Sequence, residues 1–227
     1  MKTKPKTPGG RHLHVKVKTT RKRSNSSQRW LQRQLNDPYV AQAKLLSYRS
    51  RAAFKLKEMN ERFGFLKPGM NVVDLGAAPG GWTQVAVEAG AKVIAVDLQE
   101  MEPLAGAQIL QMDFTADGSE EVIIELLGGK LADVVLSDMA ASSTGHAKTD
   151  HIKIMLLANS AFDFAEKVLA SDGVFIAKVL QGGTEGELLK RLKVRFKVVK
   201  HVKPPASRKD SSEMYVYAAG FKSAAIT

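Results

Sequence analysis

The 227-residue sequence contains no cysteine, which excludes disulfides, thiolate metal sites, iron–sulfur clusters and cysteine nucleophiles and suits a reducing, cytoplasmic setting. It also lacks any run approaching the ~18 apolar residues that a bilayer helix requires, so no membrane partner is expected. No apolar stretch follows the basic start of the chain, which argues against a secretory signal, although an acid-poor leader with Ser and Arg also suits a transit peptide. Acidic side chains are missing from residues 1–36, where eleven Lys or Arg stand: Lys2, Lys4, Lys6, Arg11, Lys16, Lys18, Arg21, Lys22, Arg23, Arg29 and Arg33. The remaining residues balance 23 basic against 23 acidic side chains, so the net charge of +11 belongs to that segment. Basic arms of this kind meet polyanions, because each neutralised phosphate releases condensed counterions.

What is present is a chain of average apolarity, with 44% hydrophobic and 25% charged residues, enough to bury one core. Residues 1–27 are rich in Lys, Pro, Thr and Ser without hydrophobic periodicity and read as a mostly disordered arm. Residues 28–227 read as a single domain, and a monomer is expected. Asp37 before Pro38 marks a helix start, and Ser50 is placed to cap a second helix ending at Gly64. Short β-branched runs then alternate with helical stretches. Strands are expected over 71–76, 92–97, 108–113, 132–138, 173–180, 196–202 and 214–221, and helices over 81–89, 120–127, 152–170 and 185–193. Strands as continuously apolar as Val93 to Val96 require cover on both faces, which implies a doubly wound α/β sheet, mostly parallel, with a final antiparallel hairpin.

The first strand runs into Asp74-Leu75-Gly76-Ala77-Ala78-Pro79-Gly80-Gly81-Trp82 and then a helix. Glycines allow a tight turn close to a ligand, and a helix N-terminus presents free N–H groups. The spacing is not G-x-G-x-x-G, and Pro79 removes a donor that a pyrophosphate would use. Asp97 ends the second strand, where a carboxylate can accept from ribose hydroxyls. Asp113 ends the third, placed to accept from an adenine amino group with the ring of Phe114 stacking, and Asp138 ends the fourth. Three carboxylates at the ends of the first three strands, Asp74, Asp97 and Asp113, would repel a pyrophosphate, so the expected ligand is a nucleoside without phosphates, and S-adenosylmethionine fits.

These motifs, with Lys178-Val179-Leu180-Gln181-Gly182 and Ser212-Glu213-Met214-Tyr215, resemble the FtsJ/RrmJ family of RNA ribose 2′-O-methyltransferases over roughly Ser26 to Phe221. The resemblance implies a Rossmann-like seven-stranded methyltransferase sheet. It implies S-adenosylmethionine contacts from Gly80, Trp82, Asp97, Asp113 and Asp138, and a catalytic tetrad of Lys55, Asp138, Lys178 and Glu213. It further implies methylation of a uridine ribose in 23S ribosomal RNA of the large subunit. A transfer-RNA ribose or a non-catalytic role in ribosome assembly are the alternatives. Lys178 has independent support, since a lysine interrupting an apolar central strand must reach the sheet end or pair with a carboxylate. In the family's chemistry Lys178 takes or steers the hydroxyl proton, Asp138 orients it, and Lys55 with Glu213 positions the ribose.

Two departures from the family pattern stand out: Ala141-Ser142 in place of Pro-Asn, and Leu180 in place of Phe. RNA contacts are expected from the arm, from Arg29, Arg33, Arg49 and Arg51, and from Lys193, Arg195, Lys197, Lys200, Lys203, Arg208 and Lys209. Trp30, Tyr39 and Tyr48 are available either to stack on bases or to join the core. The five histidines show no metal-ligand spacing. An NAD-dependent oxidoreductase competes only through its strand–loop–helix, without the three-glycine fingerprint.

Overall fold

The computed structural model describes residues 25–140, 145–181 and 186–223; residues 1–24 of the expected disordered arm, 1–27, and the Ala141-Ser142 departure lie outside these residues, while residues 25–27 open the first helix. Three helices come first, α1 (Asn25–Leu35), α2 (Pro38–Leu45) and α3 (Ala52–Phe63). Then follow β1 (Asn71–Leu75), α4 (Gly81–Glu88), β2 (Lys92–Asp97), β3 (Ala107–Gln111), α5 (Ser119–Leu126) and β4 (Ala132–Ser137). The chain continues through α6 (Ala147–Val168), β5 (Leu169–Leu180), α7 (Gly186–Arg195), β6 (Phe196–Val202) and β7 (Glu213–Phe221). The strands form one seven-stranded sheet in the order β3-β2-β1-β4-β5-β7-β6. Parallel pairs run from β3 to β5, and β7 lies antiparallel between β5 and β6.

Strand alternation divides the core into two layers. Val73, Leu75, Ile94, Val96 and Val135 face Ile123 of α5, Phe162 of α6 and Leu188 and Leu192 of α7. Val72, Val93, Val134, Leu136 and Ile176 face Phe54, Leu56 and Met59 of α3 and Val85 and Ala86 of α4. β1, β2 and β4 are buried on both faces because helices cover both, as their uninterrupted hydrophobicity requires, whereas the edge strands β3 and β6 are largely open to solvent. Asp37 caps α2 by accepting from the Tyr39 amide at 3.0 Å, and Gly64 closes α3 in the left-handed conformation, both as expected. Tyr39 and Tyr48 pack on Phe54 at centroid distances of 5.4 Å and donate to Glu58 and Glu88, so both join the core side and neither is a free stacking platform.

Boundaries differ where a local signal misleads. Ser50 does not cap α3: Arg51 holds the cap position without a side-chain bond, and the Ser50 hydroxyl packs on Gly81 with no partner. β5 begins four residues ahead of Gly173, because the strand pairs Ala132 with Leu169, bulges, and resumes at Val134 with Val174. Asp172, at φ 64°, and Gly173 lie at that irregularity inside one strand.

One acidic residue inside the sheet carries a measurable cost. Asp74 on β1 is 1% exposed, and its carboxylate accepts from the Thr83 hydroxyl at 2.7 Å. Burial pushes its pKa up to about 7, against the Thr83 hydrogen bond, with Asp138 and Asp97 adding repulsion. A folded-state value raised above the unfolded one gives stability that is full below about pH 4 and is lost as pH rises through 7. Asp74→Asn, which keeps the shape and an acceptor, should therefore raise the unfolding free energy at pH 8 relative to pH 5 by ~1 kcal/mol or more over wild type. Urea unfolding at both pH values tests this; an identical pH slope in the two proteins would refute the buried-acid account.

Candidate active site

Sheet register brings the expected catalytic side chains to one place. Ser137 pairs with Ala177 across β4 and β5, so Asp138 and Lys178 stand side by side at the C-terminal ends of parallel strands, where open α/β sheets bind ligands. Lys178 pairs directly with Tyr215 across β5 and β7, and Leu180 pairs with Glu213. Residues 213 and 215 share a strand face, the face covered by α3, and α3 delivers Lys55 from above.

The four charged groups interlock. Lys178 Nζ lies 2.8 Å from Asp138 Oδ1 and donates to the Asp138 carbonyl at 2.9 Å, while Glu213 Oε2 stands 3.9 Å away. Lys55 Nζ lies 2.7 Å from Glu213 Oε1 and 3.9 Å from Asp138 Oδ2. Both lysines are buried, at 7% and 8% exposure, which an ammonium tolerates only when paired. Burial alone would push the Asp138 carboxyl up; the Lys178 and Lys55 charges and the hydrogen bonds from Lys178 and Tyr215 overcome it and hold the group below its ordinary value.

Tyr215, absent from the expected site residues, is the centre of the cluster. Its hydroxyl is fully buried, accepts from Lys55 Nζ at 2.9 Å, and stands 2.6 Å from Asp138 Oδ1 and 3.2 Å from Glu213 Oε1. One O–H has one proton, and the shorter distance assigns it to Asp138. Burial first, and then the two carboxylates, push the Tyr215 hydroxyl well above its usual value, so it stays a neutral donor. The signal in sequence was a polar-tipped aromatic two residues after Glu213, and therefore on the same strand face.

The glycine loop follows β1 on the same edge. A Cβ on Gly76 would stand 2.2 Å from Met139 Cγ, so the loop lies tightly against the end of β4. Asp97 Oδ2 accepts from the Ala78 amide at 2.9 Å and Oδ1 from the Gln99 amide at 2.8 Å, tying the loop to the end of β2. Asp113 is exposed and accepts from the Thr115 amide and hydroxyl, bonds that hold its carboxyl low. Two expected roles change. Phe114 is buried against Phe164 at 5.8 Å, edge to face, so its ring belongs to the core and is not free to stack on an adenine. Trp82 is buried, donates to the Ala52 carbonyl at 2.9 Å and packs on Tyr215, so its side chain joins α4 to α3.

A polar cavity of about 230 Å³ opens beside the tetrad, lined by Arg33, Arg51, Lys55, Arg208, Asp210, Ser211 and Glu213. Arg51 and Arg208 both reach Asp37 Oδ2, at 3.1 and 3.2 Å, which fixes α2 against the β6–β7 loop. A larger cleft of about 670 Å³, bordered by Asn71, Lys92 and Ala107, lies at the opposite ends of β1 to β3, away from these groups.

This constellation on this sheet agrees with sequence comparison: the sequence model of the FtsJ-like methyltransferases matches residues 48–221. The chain belongs to that family. It is 61% identical over 95% of its length to the ribosomal RNA large subunit methyltransferase E of Parvibaculum lavamentivorans, covering 90% of that protein. To the protein of the same name in Xanthobacter autotrophicus it is 57% identical, over 98% of this chain and 89% of that one. Among solved structures, one assigned to a ribosomal RNA methyltransferase of Plasmodium falciparum superposes with a TM-score of 0.71 and 30% identity, covering 78% of this chain and all of that one. Elsewhere on the chain Lys197 lies 2.5 Å from Asp172 and Arg195 lies 2.9 Å from Glu166, so these expected RNA contacts are partnered within the chain.

Tyr215→Phe should keep the ring packed on Trp82 and remove only the hydroxyl. Single-turnover methyl transfer should fall about tenfold or more, the rate equivalent of one hydrogen bond to a charged group at ~1.5–3 kcal/mol. An unchanged rate would show that the tetrad keeps its geometry without the central hydroxyl.

Proposed function

We propose that this chain is an S-adenosylmethionine-dependent enzyme that methylates the ribose 2′-hydroxyl of a uridine in 23S ribosomal RNA of the large subunit. The observation that carries this reading is the cluster of two buried ammonium groups and two carboxylates beside a glycine loop at one sheet edge. The names of the P. lavamentivorans and X. autotrophicus relatives support the RNA class of substrate.

The residues present suit the methyl donor. Gly76 and Gly80 let the loop pack closely on Met139 and Arg49, and the first amides of α4, Trp82 among them, point out of the helix start. Asp97 retains acceptor capacity beyond its two amide bonds, and the carboxylates of Asp97, Asp113 and Asp138 favour a cationic nucleoside over a pyrophosphate. When bound, S-adenosylmethionine supplies an electrophilic methyl group. This chain's part is to align the ribose oxygen with that methyl and to remove its proton; alignment alone is worth several kcal/mol.

In this reading Lys178 stands nearest the reacting hydroxyl and accepts or steers its proton, an amine being able to accept only in its neutral form. Asp138 orients Lys178 through its carboxylate and its carbonyl. Lys55 and Glu213, tied to each other, position the ribose from the α3 side. The cavity carrying Arg33, Arg51 and Arg208 gives the RNA backbone a basic seat beside the tetrad. Residues 1–27 act as a basic arm on the RNA, and residues 28–227 as the catalytic domain.

Ribose-methylation mapping of total RNA from a deletion strain should show loss of one uridine mark in large-subunit RNA; loss of a transfer-RNA mark with the large-subunit mark intact would overturn the substrate. Lys178→Ala should lower single-turnover transfer by ~10²-fold or more, the scale of a positioned proton acceptor, with donor affinity nearly unchanged. Lys178→Arg separates the roles, because guanidinium keeps the charge and does not release its proton. An active arginine variant would make Lys178 an electrostatic anchor and Asp138 the base.

A further inference from the structure

Arg49 was expected to face RNA, yet its guanidinium is turned into the chain. Nη1 donates to the Glu102 carbonyl at 2.7 Å and to the Pro79 carbonyl at 3.3 Å, and Nη2 donates to the Pro103 carbonyl at 2.6 Å. Pro79 lies in the glycine loop after β1, and Glu102 and Pro103 lie in the loop after β2. One planar fork therefore bridges the two loops that border the donor site. Gly80 makes room for it: at φ 105°, a Cβ there would stand 2.9 Å from Arg49 Nη1.

The base of this clamp is itself fixed. The Arg49 amide donates to Gln84 Oε1 at 2.6 Å, and Gln84 Nε2 donates to the Ser47 carbonyl at 3.0 Å, which bolts the turn before α3 to the first turns of α4. Asp97, accepting from the Ala78 amide, joins the same two loops at a second point. Neither loop has a helix or strand of its own between these points, so without the fork more of their ordering falls to the ligand.

We propose that Arg49 is a positioning residue for the methyl donor: it holds the loops after β1 and β2 at a fixed separation before the donor arrives. The proposal rests on reading that loop pair as the donor site. Two residues along, Arg51 grips Asp37 and the Ala206 carbonyl, so the same short segment sets the donor loops with one arginine and the substrate side with the other.

Titration calorimetry of the full chain with S-adenosylhomocysteine tests the clamp. Arg49→Ala should weaken binding about tenfold, since ordering two loops then falls to the ligand. Arg49→Lys should recover little, because an ammonium lacks the planar fork that spans three carbonyls. The rate at saturating donor should stay within about threefold of wild type, and the slope of log RNA affinity against log salt should not change, since no phosphate contact is lost. If Arg49→Ala fails to fold, Arg49→Gln, which keeps the stem and one donor group, carries the same measurements. Equal affinity in wild type and variant would overturn the clamp and leave the proposed function standing. So would a salt slope lowered by about one with donor affinity intact, which would assign Arg49 to RNA. A wild-type chain that did not bind S-adenosylhomocysteine would instead remove the donor reading on which the clamp depends.

Discussion

Two ammonium groups held below one-tenth exposure govern this structure. Isolated in a protein interior, either would cost several kcal/mol in lost hydration. Here the cost is offset because two carboxylates balance two ammonium groups and the Tyr215 hydroxyl joins three of the four. Three separate elements must meet for this to happen: α3 with Lys55, the β4 end with Asp138, and the β5–β7 pair with Lys178, Tyr215 and Glu213. The cluster is thus assembled by the whole fold and by no local motif.

The antiparallel insertion of β7 is what permits it. A seventh strand running parallel would place its C-terminal end at the active edge; running antiparallel, it places its start there and puts Glu213 and Tyr215 opposite Leu180 and Lys178. The loop preceding β7 then lies beside the site as well, which is how Arg208 and Ser211 come to line the cavity shared with Lys55. Asp37, its side chain 7% exposed, draws Arg51 and Arg208 together at the same edge. The first helices are therefore tied to the methyltransferase sheet by the site they help to line.

Much of this was legible in the residues. Uninterrupted apolar strands demanded a sheet covered on both faces, and Lys178 in such a strand demanded a carboxylate, found 2.8 Å away in Asp138. The spacing of Asp97, Asp113 and the loop from Gly76 to Gly81 points to a ligand edge, whereas Asp74, which the same spacing groups with them, is buried inside the sheet. Lys55 and Glu213 were visible only through family resemblance, because a helical lysine and a strand-end glutamate look ordinary without their partners.

Where tertiary structure decided otherwise, the reason is that side-chain direction depends on what packs above it. Phe114 follows a strand-end aspartate yet turns inward onto Phe164. Trp82 opens α4 at the ligand edge yet its indole serves the α3 contact. Arg49 and Arg51 look alike in sequence as basic residues near a basic arm, and the fold turns one toward backbone carbonyls and the other toward Asp37. Periodicity and charge placed most strands and helices to within about five residues. Only the pairing of β5 with β7, a contact between residues more than thirty positions apart, set Tyr215 opposite Lys178, because register across strands is fixed by packing and not by neighbours in the chain.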